Sequence, residues 1–508
     1  MKIIMPFGVM KISRKYLFLR GIFFLWLCPQ LIIAKGVFDF DPGCQRAYQL
    51  IFNYDLKGAD KIIANEKAAN PNNYIIPYLE SYSDLLSVFF NEKKADYQAM
   101  QKKESERESL LSNAVSNSPY RNFCLSEIYM HDALVRFKFG DNISAAYKLK
   151  TAYFLLKECR AKYPEFLPAN KDLLVLEGAI GTLPRGYRAI LNILGFNGDL
   201  KKSTEAYKIY LNKLVLSKDY NLFLEESRVY FAFMNYYLLN ESDKAWTMMK
   251  EATDDYAESP LSAFFRASMA MRTRHNIELM QALQPYAANP PIPQLGYFYG
   301  IGKLQQLDVG GGYYLSHYLR SFSGEGYIKD AYLKLGWAFL LKGDTTSYKN
   351  CKILVGKFGG NRFEEDKNAL NESKKPTIPD IHLLRARLLY DGGLYQRAID
   401  ELTTISLPSL RNKEEQSECI YRLARINEAM GNEKEAIKNY DFVIAKYSIK
   451  GLYFPPASCL YLGLIYEKKK NIILARQYFQ KCLEFTSYPY EDSFNQKANA
   501  GLKRLNIQ

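Results

Sequence analysis

The 508-residue chain predicts an all-α protein, an α-solenoid built from stacked helical hairpins. Three observations carry this. The chain is too long for one compact core. Small residues recur at a near-fixed interval in the last third: Ala398, Ala436 and Ala475 stand thirty-eight and thirty-nine residues apart. No two segments alternate apolar and polar residues as paired strands do, whereas about eleven helix-turn-helix units can be marked along the sequence.

The most regular unit is residues 459–485, CLYLGLIYEKKKNIILARQYFQKCLEF. Two antiparallel helices need small side chains where their axes approach, which suits Gly463 on the first and Ala475 on the second. Tyr466 and Phe479 fill the space between neighbouring hairpins. The pattern returns in YRLARINEAMGNEKEAIKNYDFVI with Leu423, Ala424, Gly431, Ala436 and Tyr440, and in LLRARLLYDGGLYQRAIDELTTI with Ala386, Gly393, Ala398 and Leu402. One such hairpin cannot bury its own apolar faces and must stack on others.

These three units resemble the tetratricopeptide-repeat family, whose unit is about 34 residues. The resemblance implies a superhelix that holds other proteins on a concave surface lined by the first helix of each hairpin. Carried onto this sequence, the family's groove positions are Arg387, Tyr390 and Asp391, then Tyr421, Arg425 and Glu428, then Leu464, Glu467 and Lys468. Arg387 and Arg425 share one repeat position and form a ladder suited to a carboxylate or an acidic peptide, unless they pair with Asp391 and Glu428 in the same groove. The asparagine and lysine set of the family's carboxylate-clamp members is absent.

Taken from the start, residues 1–34 read as a secretion signal. Lys2, Lys11, Arg14, Lys15 and Arg20 are accompanied by no acid and precede GIFFLWLCPQLIIA, an apolar run broken by Pro29 and too short to span a membrane comfortably. Met10 stands directly before the basic stretch, so translation starts at Met1 or Met10. The formal charge of +14 falls to +9 without those five residues, a mild bias, and no Lys/Arg run with interleaved aromatics suggests nucleic acid. Residues 37–358 read as a degenerate array of hairpins, with Gly140-Asp141 turning one pair. Residues 359–376, GGNRFEEDKNALNESKKP beginning at Gly359, read as a linker or long loop. Residues 377–508 hold the three regular units and a capping helix after Asp492.

Residues 176–199 depart from the repeat. LEGAIGTLPRGYRAILNILGFNGD sets a short apolar helix between Gly181, Pro184 and Gly186 on one side and Gly195 and Gly198 on the other. This stretch resembles the inclusion-body clearance proteins and their animal tetratricopeptide relatives, a resemblance that implies lipid handling and aggregate clearance. Read from the residues, 183–196 is either an apolar insert that touches lipid or a partner, or a buried helix that plugs the solenoid.

Reactive constellations are missing from the sequence. His131, His275, His317 and His382 never fall at metal-ligand spacing, and there is no Cys-x-x-Cys. Gly356-Lys357 lacks the hydroxyl residue of a phosphate loop, Gly310-Gly311-Gly312 follows a helix as a turn, and Ser323 lacks the glycine of a nucleophile elbow. Seven cysteines follow the signal, an odd number at irregular spacing. Cys459 and Cys482 lie within one unit, where a disulfide suits an oxidising compartment and a small hydrophobe suits the slots equally.

The expectation is therefore a non-enzyme with no cofactor and no metal: an exported scaffold, periplasmic or outer-membrane associated, that takes a protein or peptide partner in its groove and associates with membrane complexes. No transmembrane span is expected in the mature chain. In style the chain resembles exported tetratricopeptide proteins of the Bacteroidota. The alternative is a lipid- or glycan-binding repeat protein that uses residues 183–196.

Overall fold

In the computed structural model, residues 36–505 are described apart from Pro184 and Tyr490. The proposed signal lies outside the described residues. Among the described residues there is no strand, only a single bridge between Val37 and Asn73. No described helix is long and apolar enough to cross a membrane.

The chain runs as antiparallel pairs: α1 (Pro42–Phe52) with α2 (Leu56–Ala69), α3 (Ile75–Asn91) with α4 (Lys94–Ser112), and α5 (Pro119–Phe139) with α6 (Asn142–Lys162). Next, α7 (Asn170–Thr182) pairs with α9 (Leu200–Leu216) across an inserted helix, α8 (Arg185–Ile193). Then come α10 (Leu224–Tyr237) with α11 (Ser242–Ala252), α12 (Pro260–Thr273) with α13 (Asn276–Leu283), α14 (Pro293–Gln305) with α15 (Gly311–Ser321), and α16 (Ile328–Leu341) with α17 (Thr345–Lys357). A lone α18 (Glu364–Ser373) precedes α19 (Ile381–Asp391) with α20 (Tyr395–Thr403), α21 (Lys413–Ala429) with α22 (Glu433–Tyr447), and α23 (Phe454–Lys468) with α24 (Ile472–Glu484). The capping helix is α25 (Glu491–Leu505). The sequence periodicity thus finds its eleven hairpins.

Local chemistry sets the boundaries. Asp141 accepts from Ser144 N at 3.3 Å to start α6, directly after Gly140 has ended α5 at φ 87°. Asp380 takes the first amides of α19, from His382 at 2.9 Å and Leu383 at 3.1 Å. The recurring alanines do the work their spacing implies: Ala398, Ala436 and Ala475 are fully buried between helices. A Cβ on Gly463 or on Gly501 would stand 2.5 Å from the ring of Phe479, so both glycines are needed for α23 and α25 to close on that ring.

Two departures from the sequence reading are instructive. Residues 359–376, expected as a linker or long loop, contain α18. Its polar residues are not solvated spacers: Asp366 is buried and accepts from Tyr327 N at 2.8 Å and Asp330 N at 3.1 Å, capping α16. The short helix at 183–196 is not a buried plug. Ile193 of α8 is 85% exposed, with Ile190 and Leu194 more than half exposed.

The array before α18 also closes on itself, which a simple repeat stack does not do. The Glu92 carboxylate ends the α3–α4 turn and accepts from Glu325 N at 3.0 Å and Gly326 N at 2.8 Å, while Lys138 of α5 holds its other oxygen at 2.9 Å. Gln294 of α14 donates to Phe90 O at 3.1 Å. The enclosed space is filled by side chains. At its centre Lys171 is fully buried, with Glu127, Asp172 and Glu226 at 3.0, 3.1 and 3.2 Å. Tyr48, Tyr82 and Tyr230 donate their hydroxyls to Glu226 at 2.5, 3.3 and 3.0 Å.

The cysteines and most of the histidines pack, while His317 is exposed. His131 shares a 2.8 Å hydrogen bond with Ser81 beside the rings of Tyr78 and Tyr82, His275 stacks on Trp246, and His382 meets Glu401 at 3.0 Å. The seven cysteines are buried free thiols, Cys459 and Cys482 among them, and burial pushes the Cys482 thiol up to about 12.

A pH test arises on α4. Burial pushes the Glu104 carboxyl from 4.5 up to about 7, although Arg107 lies 2.7 Å away; that guanidinium also serves Asp84 at 2.7 Å. Between those two pH values the folded chain keeps a proton the unfolded chain has released, so this group's contribution to stability falls as pH rises through the window. The buried His131 slopes the opposite way, because burial lowers its pKa. The expected result is therefore a difference: Glu104→Gln gains thermal stability over wild type as pH is raised from 5 to 8. Parallel melting curves across that range would sink it.

Candidate functional site

The C-terminal repeats create a groove because their first helices, α19, α21 and α23, stand side by side. A cavity of about 350 Å³ opens along them and is completed by Arg274 at the end of α12, Tyr348 of α17 and Glu372 of α18. Five of the nine groove residues expected from the repeat positions line it: Arg387, Tyr390, Asp391, Tyr421 and Arg425.

The other four do not, for physical reasons. Glu428 sits behind the wall, where its carboxylate takes Arg425 and the Tyr440 hydroxyl, both at 2.5 Å. Glu467 is engaged by the guanidinium of Arg504, two bonds of 2.6 Å, because α25 packs over α23 at that level. Leu464 packs into the C-terminal core, and Lys468 is exposed at the helix end. The capping helix therefore takes the last turns of α23 out of the groove, while Phe454 and Tyr461 of the same helix still line it.

Nor do the two arginines form a free ladder. Arg387 pairs with Glu372 at 2.8 Å and lies over the ring of Trp337, 4.6 Å from its centroid. Burial pushes the Glu372 carboxyl up, but Arg387 and Lys334 outweigh it and hold the group below its usual range. Arg425 lies flat on Tyr461, 3.6 Å from the ring centroid, and 6.0 Å from that of Tyr390. Asp391 has no cation within ion-pair distance, so the expected Arg387–Asp391 pair does not form.

Sequence reasoning missed Arg274, Arg422, Tyr453 and Tyr461, all of which line the cavity. Tyr461 and Arg422 share a repeat position, so shifting the assumed register by three residues finds both. Nothing local marks Arg274. It occupies the left-handed region at φ 62°, with its guanidinium 4.6 Å from the Tyr390 ring centroid. The buried Asn276 holds this junction together: its amide N–H donates to Gly392 O at 3.3 Å, and its side chain donates to Gly302 O at 2.8 Å.

The rim is acidic but paired: Lys375 meets Glu414 at 3.0 Å, Arg411 meets Glu415, and Arg422 meets Glu418. A second cavity, of about 550 Å³ between α2, α3 and α4, has its cations already engaged: Lys67 with Glu80 at 2.7 Å, Lys103 with Asp84 at 3.0 Å, and Arg107 as above. Among the described residues no cluster of His, Cys, Asp or Glu is placed to hold a metal ion.

Together these features define an all-α protein of stacked helical hairpins, with an open groove on its last hairpins. No family model matches the chain, and no curated protein sequence matches it. Two solved structures with similar backbones are the apo form of RapI and the APC/C hetero-tetramer Cut9–Hcn1. The first is 11% identical, covers 81% of this chain and 96% of its own, and gives a TM-score of 0.31. The second is 12% identical, covers 90% and 95%, and gives 0.22. At such scores neither superposition carries an argument. The architecture stands on this chain's own helix pairing.

Proposed function

We propose that the protein is an exported, non-catalytic scaffold that holds a protein or peptide partner of the cell envelope in the groove of α19, α21 and α23. The carrying observation is the groove itself, where three consecutive first helices present arginine and tyrosine side chains to one open cavity. Tyrosine and arginine are the residue types that anchor partners most strongly. The basic, acid-free leader ahead of Ala34 supports export to the periplasm or outer membrane, and a mature N-terminus at Met1 or Met10, read by mass spectrometry, would remove that part.

The groove is tested in the producing cells with a photo-cross-linking side chain at Thr377 or Asn412, both exposed at its edge, against Lys438 on an exposed second helix. The groove positions are expected to trap one envelope protein that Lys438 does not. Joint replacement Arg387→Ala and Arg425→Ala is expected to reduce that product about tenfold or more, the scale of losing charge-assisted contacts. Equal yield from the double variant would remove the groove from the reading.

A second reading is carried by α8. Its exposed Ile190, Ile193 and Leu194 suit contact with lipid chains better than with a sugar. Flotation with phosphatidylglycerol vesicles is expected to carry the wild type and to lose Ile193→Asp. If neither floats, the lipid reading goes.

A further inference from the structure

The floor of the groove holds unused hydrogen-bonding capacity. Arg274 reaches it from the end of α12, in the array before α18, not from the repeats. Its guanidinium has no carboxylate within ion-pair distance and no hydrogen bond among the described residues; its neighbour is the face of Tyr390. Tyr390 lines the cavity but is only 7% exposed, and its hydroxyl is closed off from the open space, with no hydrogen-bond partner among the described residues. Burial pushes the Tyr390 phenol above its usual range, so it remains a donor at neutral pH. Arg425 flanks the same ring on the next helix.

We infer that Arg274, seated on the Tyr390 ring and flanked by Arg425, binds a carboxylate carried by the peptide partner. The inference rests on the groove being the partner site. A guanidinium offers paired donors to the two carboxylate oxygens. The surroundings select one negative charge, not many. Asp391 lines the same cavity with no cation within ion-pair distance among the described residues, so a ligand carrying many negative charges meets more repulsion than a single carboxylate does. Tyr421, Tyr453, Phe454 and Tyr461 supply apolar faces for the residues next to the acid.

The test uses the full chain and fluorescein-labelled heptapeptides in four forms, ending in Glu or Gln, each as free acid or α-amide, read by fluorescence anisotropy. Any form with a carboxylate is expected to bind about tenfold or more tighter than the Gln amide, the scale of a charge-assisted pair. The Glu amide and the Gln acid separate a side-chain source from a chain-terminal one, and a preference for either supports the inference. Arg274→Gln is expected to abolish the preference, and Arg274→Lys to restore part of it. Asp391→Asn, which removes a competing charge, is expected to tighten acidic peptides, an effect that a merely structural role for these residues does not produce. Melting curves confirm that each variant folds. Equal binding of the Gln amide, an unchanged preference in Arg274→Gln, or no binding of any form overturns the inference. If cross-linking from Thr377 persists in those cases, the groove reading survives it.

Discussion

Lys171→Met is expected to destabilise the protein by about 3–5 kcal/mol, the cost of removing one partner from a buried ion cluster. Methionine fits the space, so the loss is electrostatic. Among the described residues Lys171 is the one cation within ion-pair distance of Glu127, Asp172 and Glu226, and all three acids are buried. Glu226 survives best because three tyrosine hydroxyls still reach it. Glu127→Gln is the informative companion. Burial and the adjacent Asp172 push the Glu127 carboxyl well above its usual range, so its amide is expected to cost less than the loss of Lys171. Urea unfolding of both variants is the measurement. A midpoint for Lys171→Met within error of wild type would show that the cluster carries no net charge to balance.

Gly393→Ala is expected to cost about 2–5 kcal/mol and to impair the groove as well. Two faults add. Gly393 sits at φ 76°, a left-handed conformation that costs a residue with a Cβ about 1–2 kcal/mol. That Cβ would also stand 2.1 Å from the carbonyl oxygen of Arg274, a backbone atom that cannot rotate away, and overpacking of this kind costs about 1–3 kcal/mol. The strain falls on the residue that brings the unpaired guanidinium to the groove. Acidic-peptide binding is therefore expected to weaken more than the stability loss explains. Gly431, which ends the same helix in the next repeat, is the control: it lies at φ 80° with nothing within 4 Å of the added Cβ, so Gly431→Ala pays only the conformational part. Equal losses in the two variants would show that the contact with Arg274 does not matter.

What the sequence disclosed follows the range of the interactions. Gly463, Ala475 and Phe479 were legible because a hairpin's packing is set within one repeat and then repeats. Half of the groove was legible for the same reason: Arg387, Tyr390, Asp391, Tyr421 and Arg425 lie on first helices, and the repeat places first helices on the groove. Arg274 was not, because it comes from an element more than a hundred residues before its neighbour Tyr390, and its approach depends on α19 packing against α14 and not against α17. Lys171 looks ordinary in NKDLLVLEG, where Lys-Asp reads as the solvated first turn of a helix, since Glu127 and Glu226 are distant in sequence. The stretch 359–376 misled for the reverse reason. Its acids suggested water, yet Asp366 is buried against the amides of α16.

The bond from Glu92 to Gly326 has a consequence for how the chain is made. Its two ends are 234 residues apart, and a ribosome needs on the order of ten seconds or more to travel that distance. A plain stack of repeats sets rod by rod as it emerges. Here the earliest rods must wait, with Glu92 and Lys138 lacking the amides that complete their seat, until residue 326 arrives. A chain stopped before that point leaves an open first turn for chaperones to hold, whereas one stopped after residue 450 has already shut it.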